Sequence, residues 1–167
     1  MNRARSAVIV ALAAFALLSA SLAGATTVQK FSISDLAKKS ETIALARVDD
    51  VSSRWDDNHK EIYTFISLKV LDGVKGSRKN DVLTIRQIGG SAEGKISVVP
   101  GMPTFTKGEE VVVFLSRWYD GVPMVAGYAE GLSHVRVEPG TNAVLHGGLA
   151  NGISMGELKR QVAQQDK

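Results

Sequence analysis

Residues 88–97, IGGSAEGKIS, fall one residue short of a nucleotide-binding loop. Gly89, Gly94 and Lys95 satisfy G-x-x-x-x-G-K, but Ile96 stands where a magnesium-holding Ser or Thr is needed. Such a loop works by leading from a strand into a helix whose first amides point at the phosphates. Here Lys95 is followed by Ile-Ser-Val-Val-Pro, a β-branched run closed by proline, so a strand is expected instead. Glu93 inside the loop would also repel a phosphate. The two adjoining glycines are therefore read as a bulge or a close strand approach at a barrel corner.

Other residues able to do chemistry are scattered. His59, His134 and His146 form no H-x-x-x-H or similar metal spacing, and His59 reads as a turn residue. Asp49-Asp50 and Asp56-Asp57 lack the D-x-D-x-D-G pattern of a calcium loop, and adjacent residues on a strand point to opposite faces. Gly152-Ile-Ser154-Met-Gly156 has the G-x-S-x-G spacing, but Ser154 is read with Glu157 as a helix-capping pair and not as a nucleophile. The chain has no cysteine, which excludes thiol catalysis and thiolate metal sites. No catalytic residue, metal ligand or cofactor is assigned, and the chain is expected not to be an enzyme. Catalysis by scattered residues would require His134 or His146 beside a carboxylate in a cleft.

Surface able to bind is the remaining resource. Trp118 and Tyr119, beside Asp120-Gly121, read as an exposed turn pair, and Trp55, Tyr63 and Phe65 could extend them into an aromatic platform. For Tyr63 and Phe65 the preferred reading is the other one, packing beneath one of the helices.

The amino-terminal pattern bears on where such a surface works. Arg3 and Arg5 precede an apolar run over 7–18, then small residues and Ala23-Gly24-Ala25, the pattern of a secretory signal peptide over 1–25. The run is shorter than the roughly 20 residues that span a bilayer, so no stable membrane anchor is expected. A single domain over 26–167 in the periplasm or outside the cell follows. Losing Arg3 and Arg5 leaves 18 basic residues against 17 acidic, a net charge near +1. The one basic cluster, Lys75-Gly-Ser-Arg78-Lys79, reads as a solvated turn, so no nucleic-acid partner is expected.

The elements that must position these residues are mostly strands. Ser32 and Asp35 form a capping pair for a short helix to about Ser40, and Ser154 and Glu157 form another before Leu158 and Val162 share a helix face. Thr42 to Val48 alternates with apolar residues on both faces: Ala44, Ala46 and Val48 on one, Ile43 and Leu45 on the other. The pattern resumes at Val51, which a one-residue bulge explains, and the strand closes at Trp55. Further strands are expected over Ile62–Leu71, with Ile62, Ile66, Leu68 and Val70 inward and Tyr63 and Phe65 outward, and over Val82–Ile88 and Ile96–Val99. Pro100-Gly-Met-Pro103 stops ladder pairing. Val111–Leu115 reads as a strand buried on both sides, followed by short strands over Val122–Ala126, Leu132–Val137 and Ala143–Leu145. Short strands with turns every 8 to 12 residues indicate an all-β fold, an antiparallel barrel or sandwich, and the long bent first strands and closing terminal helix favour a small antiparallel barrel with a short N-terminal helix and a C-terminal helix.

The runs Thr42-IALARV-Val48, Ile62-YTFISLKVLDGVKG-Gly76, Leu83-TIRQIGG-Gly90, Gly101-MPTF-Phe105 and Gly108-EEVVVFL-Leu115 resemble a family of uncharacterised secreted bacterial proteins. More distantly they are similar to the netrin-like barrel of the tissue inhibitors of metalloproteinases. The resemblance covers about residues 42 to 115 through framework motifs, and it implies an OB-like barrel. The zinc-chelating amino-terminal cysteine and the disulfides of those inhibitors have no counterpart here, so no functional residue carries over. The expectation is an exported, non-catalytic domain that engages a protein partner, with an extracellular protease as one such partner. The alternative is a carbohydrate-binding or envelope-associated module that sets Trp118 and Tyr119 against sugar rings.

Overall fold

In the computed structural model of the chain, residues 32–136 and 143–165 are described. The expected leader over 1–25, its cleavage site and Val137 lie outside them. The fold is all-β in the sense expected, an antiparallel sheet with a short helix at each end of the chain.

Helix α1 (Ile33–Lys39) begins at Ser32, whose hydroxyl accepts from the Asp35 amide while the Asp35 carboxylate accepts from the Ser32 amide. This reciprocal cap satisfies amides that a helix start otherwise leaves open. Strand β1 (Thr42–Trp55) pairs with β2 (Ile62–Lys75) along nearly its whole length. The expected bulge falls between Val48 and Asp50, and two more register shifts occur earlier in the strand. These irregularities curl β1, as extra residues in one strand of a pair do. Strand β3 (Val82–Ile88) continues the sheet beyond β2, with Tyr63 opposite Ile88 and Phe65 opposite Arg86.

The expected strand over Ile96–Val99 is different in detail. The chain instead makes a small separate hairpin of β4 (Gly90–Ala92) and β5 (Lys95–Ser97). Gly89 and Gly90, at φ 95° and 135°, break β3 and turn the chain away from its sheet. A side chain on Gly90 would lie 2.3 Å from Thr64 Oγ1 and 2.4 Å from Ser53 Oγ. That space is taken by a hydroxyl chain in which Ser53 and Thr64 lie 2.8 Å apart and Thr64 donates to the Gly89 carbonyl at 2.7 Å. Close approach, the sequence-based explanation of this glycine pair, is what the structure contains.

Strand β6 (Glu110–Arg117) is the centre of the molecule. One edge pairs with β1; the other pairs first with β8 (Leu132–Arg136) and then with β7 (Pro123–Val125). Strand β9 (Val144–His146) extends the sheet from β8, and helix α2 (Met155–Ala163), capped by Ser154, follows it. Val111, Val113 and Leu115 point to one side, packing with Ala46, Val48, Ile66, Leu68 and Ile85. Val112 and Phe114 point to the other, packing with Ile43, Leu145 and the helix residues Leu36, Leu158 and Val162. All five residues over Val111–Leu115 are at most 2% exposed. The sheet rolls around the first of these cores. Strand β7 lies alongside β3, but no backbone ladder joins them, so backbone pairing does not close a barrel.

Two substitutions test this arrangement. Phe114→Ala, which empties a fully buried site, is expected to cost about 3–5 kcal/mol in urea unfolding. Gly90→Ala combines steric overlap with a positive φ and is expected to cost about 2 kcal/mol or more, with Gly94→Ala, at an open hairpin tip, costing less.

Candidate functional site

The outward face of β1, β2 and β3 gathers most of the sequence-selected aromatics. Alternation along β2 buries Ile62, Thr64, Ile66 and Leu68 and leaves Tyr63 and Phe65 half-buried on the opposite side, as expected. Among the described residues, neither belongs to a core cluster and both helices pack on Ile43, Val112 and Phe114 instead, so the reading that put Tyr63 and Phe65 beneath one of these helices does not hold.

What covers them is arginine. The Arg54 guanidinium lies 3.9 Å over the centre of the Phe65 ring. That of Arg86 lies 4.9 Å over Tyr63 and 5.9 Å from the Trp118 ring centre. A guanidinium over a ring face is held by the ring's quadrupole, at about 0.5–1 kcal/mol in exposed settings. Pairing brings these residues together: Arg54 is opposite Tyr63 on β1, and Arg86 is opposite Phe65 on β3.

Trp118 and Tyr119 join this face from the turn between β6 and β7. The Asp120 side chain accepts from the Val122 amide at 3.1 Å, and the Gly121 amide donates to the Trp118 carbonyl at 2.9 Å, so the turn is locally closed. Asp120 also ion-pairs with Arg86, and the Trp118 indole donates to the Arg86 carbonyl at 3.4 Å. Side chains thus bridge β3 and the β6–β7 turn where the backbone does not. Trp118 is half-buried in this bridge, whereas Tyr119, edge-on to it at 6.3 Å, is 96% exposed. Trp55 is elsewhere: it follows Arg54 on β1, so it faces the other way, and it stacks on His59 at 5.5 Å. Four of the five selected aromatics therefore share a face and the fifth does not.

Arg54, Arg86 and Asp120 were missed in the sequence. The signal present was strand alternation, which puts Arg86 on the same side of β3 as Ile88, but cross-strand register was needed to set it over Tyr63. The Arg86 hydrogen bond, with help from the Val122 amide and the Arg86 charge, holds the Asp120 carboxyl below its usual range.

The glycine loop borders a cavity of about 200 Å³, lined among others by Gly89, Gly90, Val99, Met102 and Pro103. No Lys or Arg lines it, and no helix begins there, so the loop lacks both features that hold a phosphate. His134 is opposite His146 on paired strands, and its Nδ1 is 3.2 Å from Glu109 Oε2. The Glu109 carboxylate also accepts from the Thr106 amide at 2.6 Å, so it serves to tie the loop before β6 to β8. Neither that cavity nor the one lined by Gly76, Ser77, Arg78 and Asp81 contains this pair. Among the described residues, no three His, Asp or Glu side chains are placed to hold a metal ion, and no helix is long and apolar enough to cross a membrane. Compared with known proteins, the chain matches no family model and no curated sequence.

Acid titration tests the electrostatics. Asp35, Asp56, Asp120 and Glu157 are all held below their ordinary values of 3.8 or 4.5 by hydrogen bonds: chiefly from Ser32, from the Glu61 and Lys60 amides, from Arg86, and from Gln161 and Arg160 respectively. Because the folded values are depressed, the stability they contribute is fully present above the unfolded values and is lost as pH falls through the folded ones. Urea midpoints are expected to be flat for these groups above about pH 5 and to drop below about pH 4, with a smaller drop in Asp120→Asn.

Proposed function

We propose that this chain is an exported, non-catalytic domain that binds a protein partner through the face formed by Tyr63, Phe65, Arg54, Arg86, Trp118 and Tyr119. The observation that carries this reading is Tyr119, almost wholly exposed on a turn whose neighbours Trp118 and Asp120 are both anchored to Arg86. A rigid base under an exposed aromatic lowers the entropy lost on binding, and aromatic and arginine side chains are the commonest sources of interface energy. Export rests on the charged, apolar and small-residue segments of residues 1–25, and action outside the cytoplasm follows from it. The resemblance of residues 42–115 to netrin-like inhibitor barrels makes an extracellular protease one partner to assay, although the inhibitory cysteine is lacking.

A glycan is the second reading, favoured by the edge-on Trp118–Tyr119 pair beside the polar Arg86–Asp120 pair, which together offer a ring face and hydrogen-bonding groups. Affinity capture from the native extracellular or periplasmic fraction, compared with retention on cell-wall polysaccharide, separates the two.

Tyr119→Ala is expected to shift unfolding free energy by no more than about 0.5 kcal/mol, since its side chain is solvated. The same variant is expected to weaken partner capture by ten-fold or more, about 1.4 kcal/mol, in a titration of the captured protein. Undiminished capture by Tyr119→Ala would move the interface off this face.

A further inference from the structure

The charges on the aromatic face are unevenly matched. Arg86 is paired with Asp120, and Lys107 is paired with Asp50 at 3.4 Å. Arg54 has no carboxylate within ion-pairing distance among the described residues, and neither has Lys69, which lies on the same side of β2 as Tyr63 and Phe65. Arg54 is exposed and its guanidinium is laid over Phe65, so the ring supports the planar group on one side. A guanidinium held in this way is prepared to take a carboxylate through two parallel hydrogen bonds.

We infer that the partner presents an acidic, extended segment to this face, with one carboxylate seated on Arg54 and an apolar side chain beside it against Phe65 and Tyr63. The inference rests on the protein-binding reading above and names the chemistry of the partner. The Arg54 guanidinium lies over Phe65, and Lys69 is four residues further along β2, a span of about 13 Å at strand rise. A segment of about four or five extended residues covers that distance, reaching both unmatched cations across Ser67, whose β1 neighbour Asp50 is already paired with Lys107. Arg86 differs from Arg54 in kind: its charge is already used by Asp120 to hold the Trp118 turn, so it shapes the face and does not add a second open carboxylate seat.

The experiment is selection of a random twelve-residue peptide library displayed on phage against the exported protein, with Arg54→Gln and Tyr119→Ala forms as counter-targets. Synthetic versions of the selected peptides are then titrated by fluorescence anisotropy. Peptides are expected to carry Asp or Glu next to an aromatic or aliphatic residue. Their affinity should fall ten-fold or more on Asp→Asn or Glu→Gln replacement in the peptide, and equally in Arg54→Gln. Binding should also weaken with added salt, while the melting temperature of Arg54→Gln falls by no more than about 4 °C, the loss of the cation–π contact over Phe65. Selected peptides that lack acids, or that bind Arg54→Gln as tightly as the parent while losing Tyr119→Ala, would overturn the acidic partner and leave protein binding at this face intact. Failure to select any peptide dependent on Tyr119 would overturn both. Retention on polygalacturonate that Arg54→Gln abolishes, in the absence of such peptides, would replace the acidic peptide with an acidic glycan.

Discussion

Strand β6 has no solvent face between Val111 and Leu115, and the rest of the molecule is arranged to make that possible. An apolar run of this kind is stable only with a layer on each side. On one side the curled sheet folds its own residues, Val48, Ile66, Leu68 and Ile85, over Val111 and Val113. On the other, Ile43, Leu145 and the loop residues Ala126 and Ala150 supply part of the layer, and the two helices complete it with Leu36, Leu158 and Val162 against Val112 and Phe114. The helices therefore act as a cover for β6, which explains why two segments of 7 and 9 residues, too short to hold helical structure alone, are both capped and anchored. They also mark which face of the sheet remains open: the helices occupy the β6 side, and among the described residues no helix covers the outward face of β2 and β3.

That uncovered face is where arginine replaces the missing helix. Phe65 and Tyr63 would present apolar area to water, and Arg54 and Arg86 lay their planar groups across the rings. The covering is partial and polar, so the face stays soluble while keeping aromatic area available for contact. Arg86 has a second task. Strand β3 and strand β7 run side by side without a ladder, and the ion pair to Asp120 together with the indole hydrogen bond to the Arg86 carbonyl fastens the seam. One residue thus links the closure of the roll to the placement of Tyr119. In the proposed binding role, the conformational cost of presenting Tyr119 has been met during folding by the Trp118 turn.

Local signals were sufficient for the inward and outward sides of β2, the two-sided burial of β6, both helix caps and the bulge after Val48, because alternation, capping chemistry and breaks in period are written over a few adjacent residues. The strand expected over Ile96–Val99 is present as β5, but its pairing with β4 was not legible, since Ile96, Val98 and Val99 are β-branched whichever sheet the segment joins. Its separation is decided by Gly89 and Gly90 and by the Ser53–Thr64 hydroxyls that fill the space a side chain would need, two residues that lie 11 apart in the chain.

For the candidate site, residue type alone selected Tyr63, Phe65, Trp118 and Tyr119, and it selected Trp55 with equal weight. Only register separates them. The pairing of Arg54 with Tyr63 and of Phe65 with Arg86 puts two arginines on two rings, while Trp55, one residue on, turns to the opposite side and stacks on His59. Strand composition records which residues can lie on a face; which strands meet, and in what phase, depends on burying β6 from both sides at once, a condition that no local segment contains.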